Sequence, residues 1–167
     1  MSTLAIKSRT IYILAMTDPD QNAETANPLD QFLCFSVYAA GLAFNRVYKP
    51  LLDRFGITYP QYLAIAALSS KDGQKVSELG DKLFLESNTL TPMIKRLESA
   101  GLVSRVRDAE DERVVRVTLT QAGRSLAAEA LQCIPDEVLR ATGMSGDDLD
   151  ALNRSMVDLG SALRSAG

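Results

Sequence analysis

Two apolar stripes, one towards each end of the chain, decide most of what this sequence can become. In the first, Leu33, Val37, Ala40, Phe44, Val47 and Leu51 recur in alternating steps of four and three, the mark of one long helix face. In the second, Leu149, Leu152, Met156, Leu159 and Leu163 step the same way, after a helix start at Ser145 with Asp148. The segment between them is too small to cover both stripes. Packing against a second copy is the natural sink, so a homodimer is expected.

Punctuation along the chain supplies the remaining elements. Asn27-Pro28-Leu29-Asp30 reads as a helix start, with Asn as cap, Pro at the first position and Asp in the first turn. The long helix it opens ends at Phe55-Gly56-Ile57, and Thr58-Tyr59-Pro60 opens a second helix through Ser69. Lys71-Asp72-Gly73 is a turn, followed by a short helix from Ser77 to Phe84 with Leu79 and Leu83 inward. Ser87 caps a fourth helix with Leu90, Met93, Ile94 and Leu97 inward, and Gly101 stops it. Leu102 to Arg107 and Val114 to Leu119 are β-branched, alternating runs around a polar tip, Asp108 to Arg113, and read as a hairpin. Thr120 caps a fifth helix through Leu126, Ala130 and Leu131, bent at Pro135.

The predicted fold is therefore mainly α: a winged helix-turn-helix over 59–119 with a two-stranded β-wing, flanked by long dimerisation helices over 27–58 and 120–167. Residues 27–167 form one domain. Residues 1–26 stand apart as a loosely ordered extension: Ile11 to Met16 is apolar, but too short for a signal segment and followed by no small-x-small cleavage site.

Composition removes several classes. The chain has no His, which excludes Ser-His-Asp and Cys-His catalysis and every His-ligated metal site. Cys34 and Cys133 lie 99 residues apart and make neither a thiolate zinc knuckle nor a CxxC pair. No cofactor or metal is implied. No run reaches the roughly 18 apolar residues of a membrane span. The expectation is a soluble, cytoplasmic protein without a membrane partner.

The net charge of −3 hides a local asymmetry. From Ser87 to Arg107, Lys95, Arg96, Arg105 and Arg107 face Glu98 alone, a net +3, whereas Ser125 to Gly167 carries a net −4. The middle of the chain keeps a basic face for phosphates. The outward face of the fourth helix offers Ser87, Asn88, Thr89 and Thr91 near its start and Lys95 and Arg96 further on. Short hydrogen-bonding groups at the leading turns suit a major groove, and the cations suit backbone. On the hairpin, Arg113 suits a minor groove, with Asp111 placed to orient it. Double-stranded DNA is the expected partner. The competing reading of the same residues is a solvated helix face and a charged loop.

The motifs Leu79-Gly80-Asp81-Lys82-Leu83, Thr89 to Glu98, Ala100-Gly101-Leu102-Val103, Asp108 to Arg113 and Val117-Thr118-Leu119-Thr120 resemble the MarR family of transcriptional regulators. Gln31-Phe32-Leu33-Cys34-Phe35, Tyr48-Lys49-Pro50-Leu51-Leu52 and Thr58-Tyr59-Pro60-Gln61-Tyr62 resemble, more narrowly, its organic hydroperoxide-sensing repressors. The resemblance covers about Leu29 to Thr120 well and the last helices loosely. It implies a homodimer on a palindromic operator, with Cys34 as redox sensor, Tyr48 and Tyr59 donating hydrogen bonds to its sulfur across the subunit seam, and an organic hydroperoxide as signal.

A free thiol with pKa of roughly 8.5 is only slightly ionised at neutral pH, so a sensor cysteine needs donors. Counted from a cap at Asn27, Cys34 lies beyond the first turn, where the helix dipole fades. Without His, phenols are the available donors. Tyr48 lies fourteen residues after Cys34 and so about 21 Å further along one continuous helix. A partner chain, or the second helix bearing Tyr59, must close that gap. Alone, Cys34 also reads as a small packed hydrophobe, and Tyr48 and Tyr59 as interface packing. For Cys133 two readings stand: a resolving cysteine that forms a disulfide with Cys34, as in some members of the resembling family, or a plain helix residue. Two other functions compete with peroxide sensing: a repressor released by a non-covalent aromatic ligand, and a thiol peroxidase. The second leaves the charged hairpin without a purpose, and the chain is expected not to be an enzyme.

Overall fold

A computed structural model describes residues 27–108, 111 and 113–166. The extension expected over 1–26 lies outside the described residues, as do Ala109, Glu110 and Glu112 of the hairpin tip. The chain divides into two compact units, with the division between Arg46 and Val47.

In the first unit the start signal at Asn27 operates, but on a shorter element than expected. Asn27 Oδ1 accepts from the Leu29 amide at 3.1 Å, and the helix it caps is a single 3-10 turn, Pro28–Gln31. Phe32 then takes an extended conformation (φ −97°, ψ 116°). The long helix α1 begins after it and spans Leu33–Asp53. A cap, a proline and an early acid satisfy only the first free amides of a helix, so they mark a start without specifying its length. Leu33, Val37 and Phe44 of the expected stripe are exposed in this unit.

The second unit holds the core. α1 ends with Leu52 buried, and Gly56 turns the chain in the left-handed region (φ 65°). Helix α2, Tyr59–Ser70, opens on a capping box in which Gln61 Oε1 accepts from the Thr58 amide at 2.8 Å. The residues after the following turn add an element that the sequence reading lacks. Gln74–Lys75 form a strand, β1, ahead of the two hairpin strands β2, Val103–Arg107, and β3, Val115–Leu119. The expected two-stranded wing is β2 and β3, and β1 pairs antiparallel with β3 as an additional strand, so the sheet runs β1-β3-β2. Two residues cannot show an alternating pattern, which is why β1 is not legible in the sequence. Gln74 is fully buried, yet its polar groups are satisfied: its amide donates to Ala67 O at 2.8 Å and Lys71 O at 2.6 Å, and Oε1 accepts from Lys82 at 2.5 Å.

Helix α3, Val76–Leu83, ends at Phe84 in the left-handed conformation (φ 53°), with the Arg164 guanidinium 4.2 Å from the ring centroid. Helix α4, Ser87–Ser99, is capped by Glu86 without a side-chain bond, so Ser87 is its first residue and not its cap. It ends in a Schellman motif: Leu102 N–H donates to Leu97 O at 3.0 Å and Gly101 N–H to Glu98 O at 2.9 Å. Strands β2 and β3 then pair antiparallel with Arg105 opposite Val117.

Helix α5, Gln121–Thr142, runs through Pro135 as one helix. Its cap, Thr120, accepts from Gly123 N at 3.0 Å and donates to Gly101 O at 2.6 Å, which docks the helix start on the end of α4. Helix α6, Gly146–Ser165, starts at Ser145, whose Oγ accepts from the Asp148 amide at 3.2 Å. The core is built from Leu52, Ile65 and Leu68, from Leu79, Leu90, Ile94 and Leu97, and from Val117, Ala130 and Ile134, whereas α6 buries no residue.

A candidate nucleic-acid face and a candidate thiol site

On α4 the apolar face is turned inward through Leu90, Met93, Ile94 and Leu97. Helical periodicity therefore leaves Ser87, Asn88, Thr89, Lys95 and Arg96 exposed, with Thr91 half-buried. Arg105 has a different occupation. Its guanidinium pairs with Glu98 Oε2 at 2.7 Å, and its backbone amide donates to Glu98 Oε1 at 3.1 Å, tying β2 to α4. Since these two charges neutralise each other, the net +3 between Ser87 and Arg107 rests on Lys95, Arg96 and Arg107, all exposed.

The wing presents Arg113 with its side chain 94% exposed. Asp111 Oδ1 accepts from the Arg113 amide at 3.0 Å and lies 3.4 Å from its Nε. Between wing and α4 runs a cleft of about 260 Å³ lined by Thr91, Arg105, Arg113 and Val114, and closed by Lys75, Val76 and Ser77. Lys75 carries no sequence signal of its own, because the strand β1 that places it has none, and Ser77 is the second residue of α3.

Cys34 belongs to the first unit and is a free, exposed thiol. Because α1 starts at Leu33, Cys34 is its second residue. The position counted from Asn27 is thereby corrected: Cys34 lies within the first helical turn, the stretch over which the dipole and free amides act. Phe35 and Tyr38 contribute aromatic surface nearby, with ring centroids 6.4 Å apart.

The phenols belong to the second unit. Tyr48 and Tyr59 pack with ring centroids 4.7 Å apart, and Tyr62, to which the sequence motifs assign no role, joins them at 6.1 Å from Tyr48. The spacing of three between Tyr59 and Tyr62 on α2 is the signal that points to it. Burial, then the neighbouring Tyr59 and Tyr62, push the Tyr48 hydroxyl up to about 12. Burial, then Tyr59 and Cys133, raise Tyr62 as well, so Cys133 of α5 stands close enough to be felt by this cluster. The Cys133 thiol is half-buried and donates to Ala130 O at 3.9 Å. Protonated phenols are hydrogen-bond donors, which is the role a sulfur anion requires of its neighbours. Among the described residues, no three acidic or cysteine side chains gather as metal donors, and no helix is long and apolar enough to cross a membrane.

A family model described as transcriptional regulator SarA/Rot matches residues 46–130. The organic hydroperoxide resistance transcriptional regulator of Bacillus subtilis is 44% identical over 131 residues, which cover 78% of this chain and 88% of that relative. The chain belongs to the MarR family of transcriptional regulators. Within the MarR family it stands with the OhrR-like members. The HTH-type transcriptional regulator TtmR of Methylorubrum extorquens is 49% identical over 124 residues, 74% of this chain, and the match spans 63% of that longer relative. Among solved structures, reduced AbfR bound to DNA superposes with a TM-score of 0.69 at 34% identity, covering 80% of this chain and 90% of that one. AbfR, from Staphylococcus epidermidis, has also been solved overoxidised on DNA and in a disulfide form. This MarR-family chain is thus a winged-helix DNA-binding transcriptional regulator, and its relatives and fold are not those of a catalytic family.

Proposed function

We propose that this chain is a repressor that holds its operator while Cys34 is reduced and releases it after an organic hydroperoxide oxidises that sulfur, so that peroxide-resistance genes are expressed. It acts in the cytoplasm as a homodimer and lays one α4 helix on each half of a palindromic operator. The observation that carries the reading is the packing of Tyr48 on Tyr59, 4.7 Å between ring centroids, with the Tyr48 hydroxyl held protonated. These are donors for a sulfur anion in a protein 44% identical to an organic hydroperoxide resistance regulator. The placement of Cys34 in the first turn of α1, among Phe32, Phe35 and Val37, supports the same reading and favours an alkyl or lipid peroxide over hydrogen peroxide.

The Cys34 thiolate attacks one peroxide oxygen. An S–O bond forms as the O–O bond breaks, and the alkoxide leaves as an alcohol with one proton. Sulfur is oxidised to a sulfenic acid and the peroxide is reduced. Cys133, or a small external thiol, then condenses with the sulfenic acid and expels water. The packing that fits the reduced sulfur does not fit its product, and the two α4 helices lose their spacing on the operator. On the DNA side, Ser87, Asn88, Thr89 and Thr91 read the major groove, Lys95, Arg96 and Arg107 face phosphates, Arg105 pairs with Glu98 instead, and Arg113, held by Asp111, enters the minor groove.

The test uses a duplex enriched by the reduced protein from a randomised pool. Cys34→Ser is expected to bind that duplex as tightly as wild type and to stay bound after one equivalent of cumene hydroperoxide. Release of the variant by the peroxide would overturn the sensing role of Cys34.

A further inference from the structure

The wing can deliver Arg113 to DNA only if its root is fixed on the body of the domain, and beside the Arg105–Glu98 tie from β2 to α4 a second side chain joins that root to the turn ahead of β1. Arg116 stands in β3, opposite Lys75 of β1 on one side and Val106 of β2 on the other. Its Nε binds the carboxylate of Asp108, the residue at the base of the wing, and its Nη1 donates to Gly73 O at 3.0 Å in the turn between α2 and β1. One guanidinium therefore spans from the wing root to the helix-turn-helix body. The Asp108 side chain is only 12% exposed, whereas that of Arg116 is 43% exposed, so the carboxylate is sheltered while the guanidinium keeps one side in water.

The turn it grips is itself anchored. Asp72 Oδ1 accepts from the amides of Gly73 and Leu119, each at 3.0 Å, and its Oδ2 pairs with Arg124 at the start of α5. Burial pushes the Asp72 carboxyl up, but the Leu119 amide, the Arg124 guanidinium and the Gly73 amide together outweigh it and hold the group below its usual range. Arg116 thus connects the wing to a fixed point rather than to a loose loop.

We infer that Arg116 is a positioning residue for DNA recognition, which sets the wing so that Arg113 meets the minor groove. The planar fork matters here, because two acceptors in different directions need two separated donors; a lysine ammonium on its flexible stem cannot hold both in register. The inference rests on the proposed minor-groove role of Arg113, and the experiment separates the two.

Binding to the enriched duplex is measured for wild type, Arg113→Ala, Arg116→Met and the double variant, with thermal unfolding of each. Arg116→Lys and Asp108→Asn serve as milder variants that keep side-chain volume. Arg113→Ala is expected to weaken binding about tenfold. Arg116→Met is expected to do the same, and the double variant to be no weaker than either single one, because a misplaced Arg113 has nothing left to lose. Arg116→Lys and Asp108→Asn should reproduce that loss in part while unfolding within a few degrees of wild type. If Arg113→Ala binds like wild type, the wing reading itself fails. If Arg113→Ala weakens binding but adds in full to Arg116→Met, or if Arg116 variants lose stability without losing affinity, Arg116 is merely structural and the inference is overturned.

Discussion

At the scale of single residues, the phenol cluster carries a property that the sequence does not reveal. Tyr48 and Tyr59 are identifiable as partners from their motifs, but the displacement of the Tyr48 hydroxyl from 10.0 to about 12 arises from burial and from two neighbouring rings. It has a consequence for stability. The folded state holds the proton more tightly than the unfolded chain, so the contribution of this group is complete below pH 10 and is lost as pH rises through about 12. Tyr48→Phe is therefore expected to flatten the alkaline decline of unfolding free energy between those limits, measured by urea titration at a series of pH values. Some decline should persist, because Tyr62 is raised too. An unchanged slope in the variant would mean that Tyr48 titrates as a solvated phenol. Cys34 teaches the opposite lesson: its residue type and motif are legible, but its place in the first turn of α1 depends on where Phe32 leaves helical geometry, and no local pattern announces that.

At the scale of elements, the sequence is most informative where apolar periodicity and a cap agree. The start of α2 at Thr58 with Gln61, the inward set of α4 and the end of α4 at Gly101 all follow from short-range chemistry written in adjacent residues. What it conceals are features created by tertiary contact, such as strand β1 and the pairing of Arg105 with Glu98 across β2 and α4. The docking of α5 is another such feature. Gly123 sits in its first turn, and a Cβ there would fall 2.0 Å from Leu102 O, a backbone atom that accepts from the Thr120 amide at 3.1 Å. Although alanine favours helix, Gly123→Ala is expected to destabilise the protein by about 1–3 kcal/mol, since the helix must lift off the end of α4. At Gly146, in the first turn of α6, nothing lies within 4 Å of an added Cβ. Gly146→Ala should be neutral or stabilising by up to about 1 kcal/mol. Urea unfolding of the two variants checks the contrast; equal effects would show that α5 does not bear on Leu102.

At the scale of the whole molecule, a single chain leaves much of its apolar surface uncovered. Helix α6 spans twenty residues and buries none of them, with Leu152, Met156, Val157 and Leu163 each at least 40% exposed. A surface of that kind, repeated in the exposed residues of α1, is what the alternating three- and four-residue steps imply when they exceed the capacity of the centre to cover them. Burying a leucine or methionine side chain contributes about 1.5–3 kcal/mol, so several such residues on each copy can support a stable dimer. Aspartate in the seam removes that contribution and places a charge where its counterpart on the second copy repels it. The variant Leu152→Asp, Met156→Asp is expected to weaken dimerisation at least about a hundredfold, read by sedimentation equilibrium, while its far-ultraviolet spectrum stays helical. Because a single recognition helix binds DNA far more weakly than a linked pair, affinity for the enriched duplex should fall with it, and raising the protein concentration should restore both together. A variant that sediments as a dimer like wild type would remove α6 from the interface and leave its apolar face to another occupant.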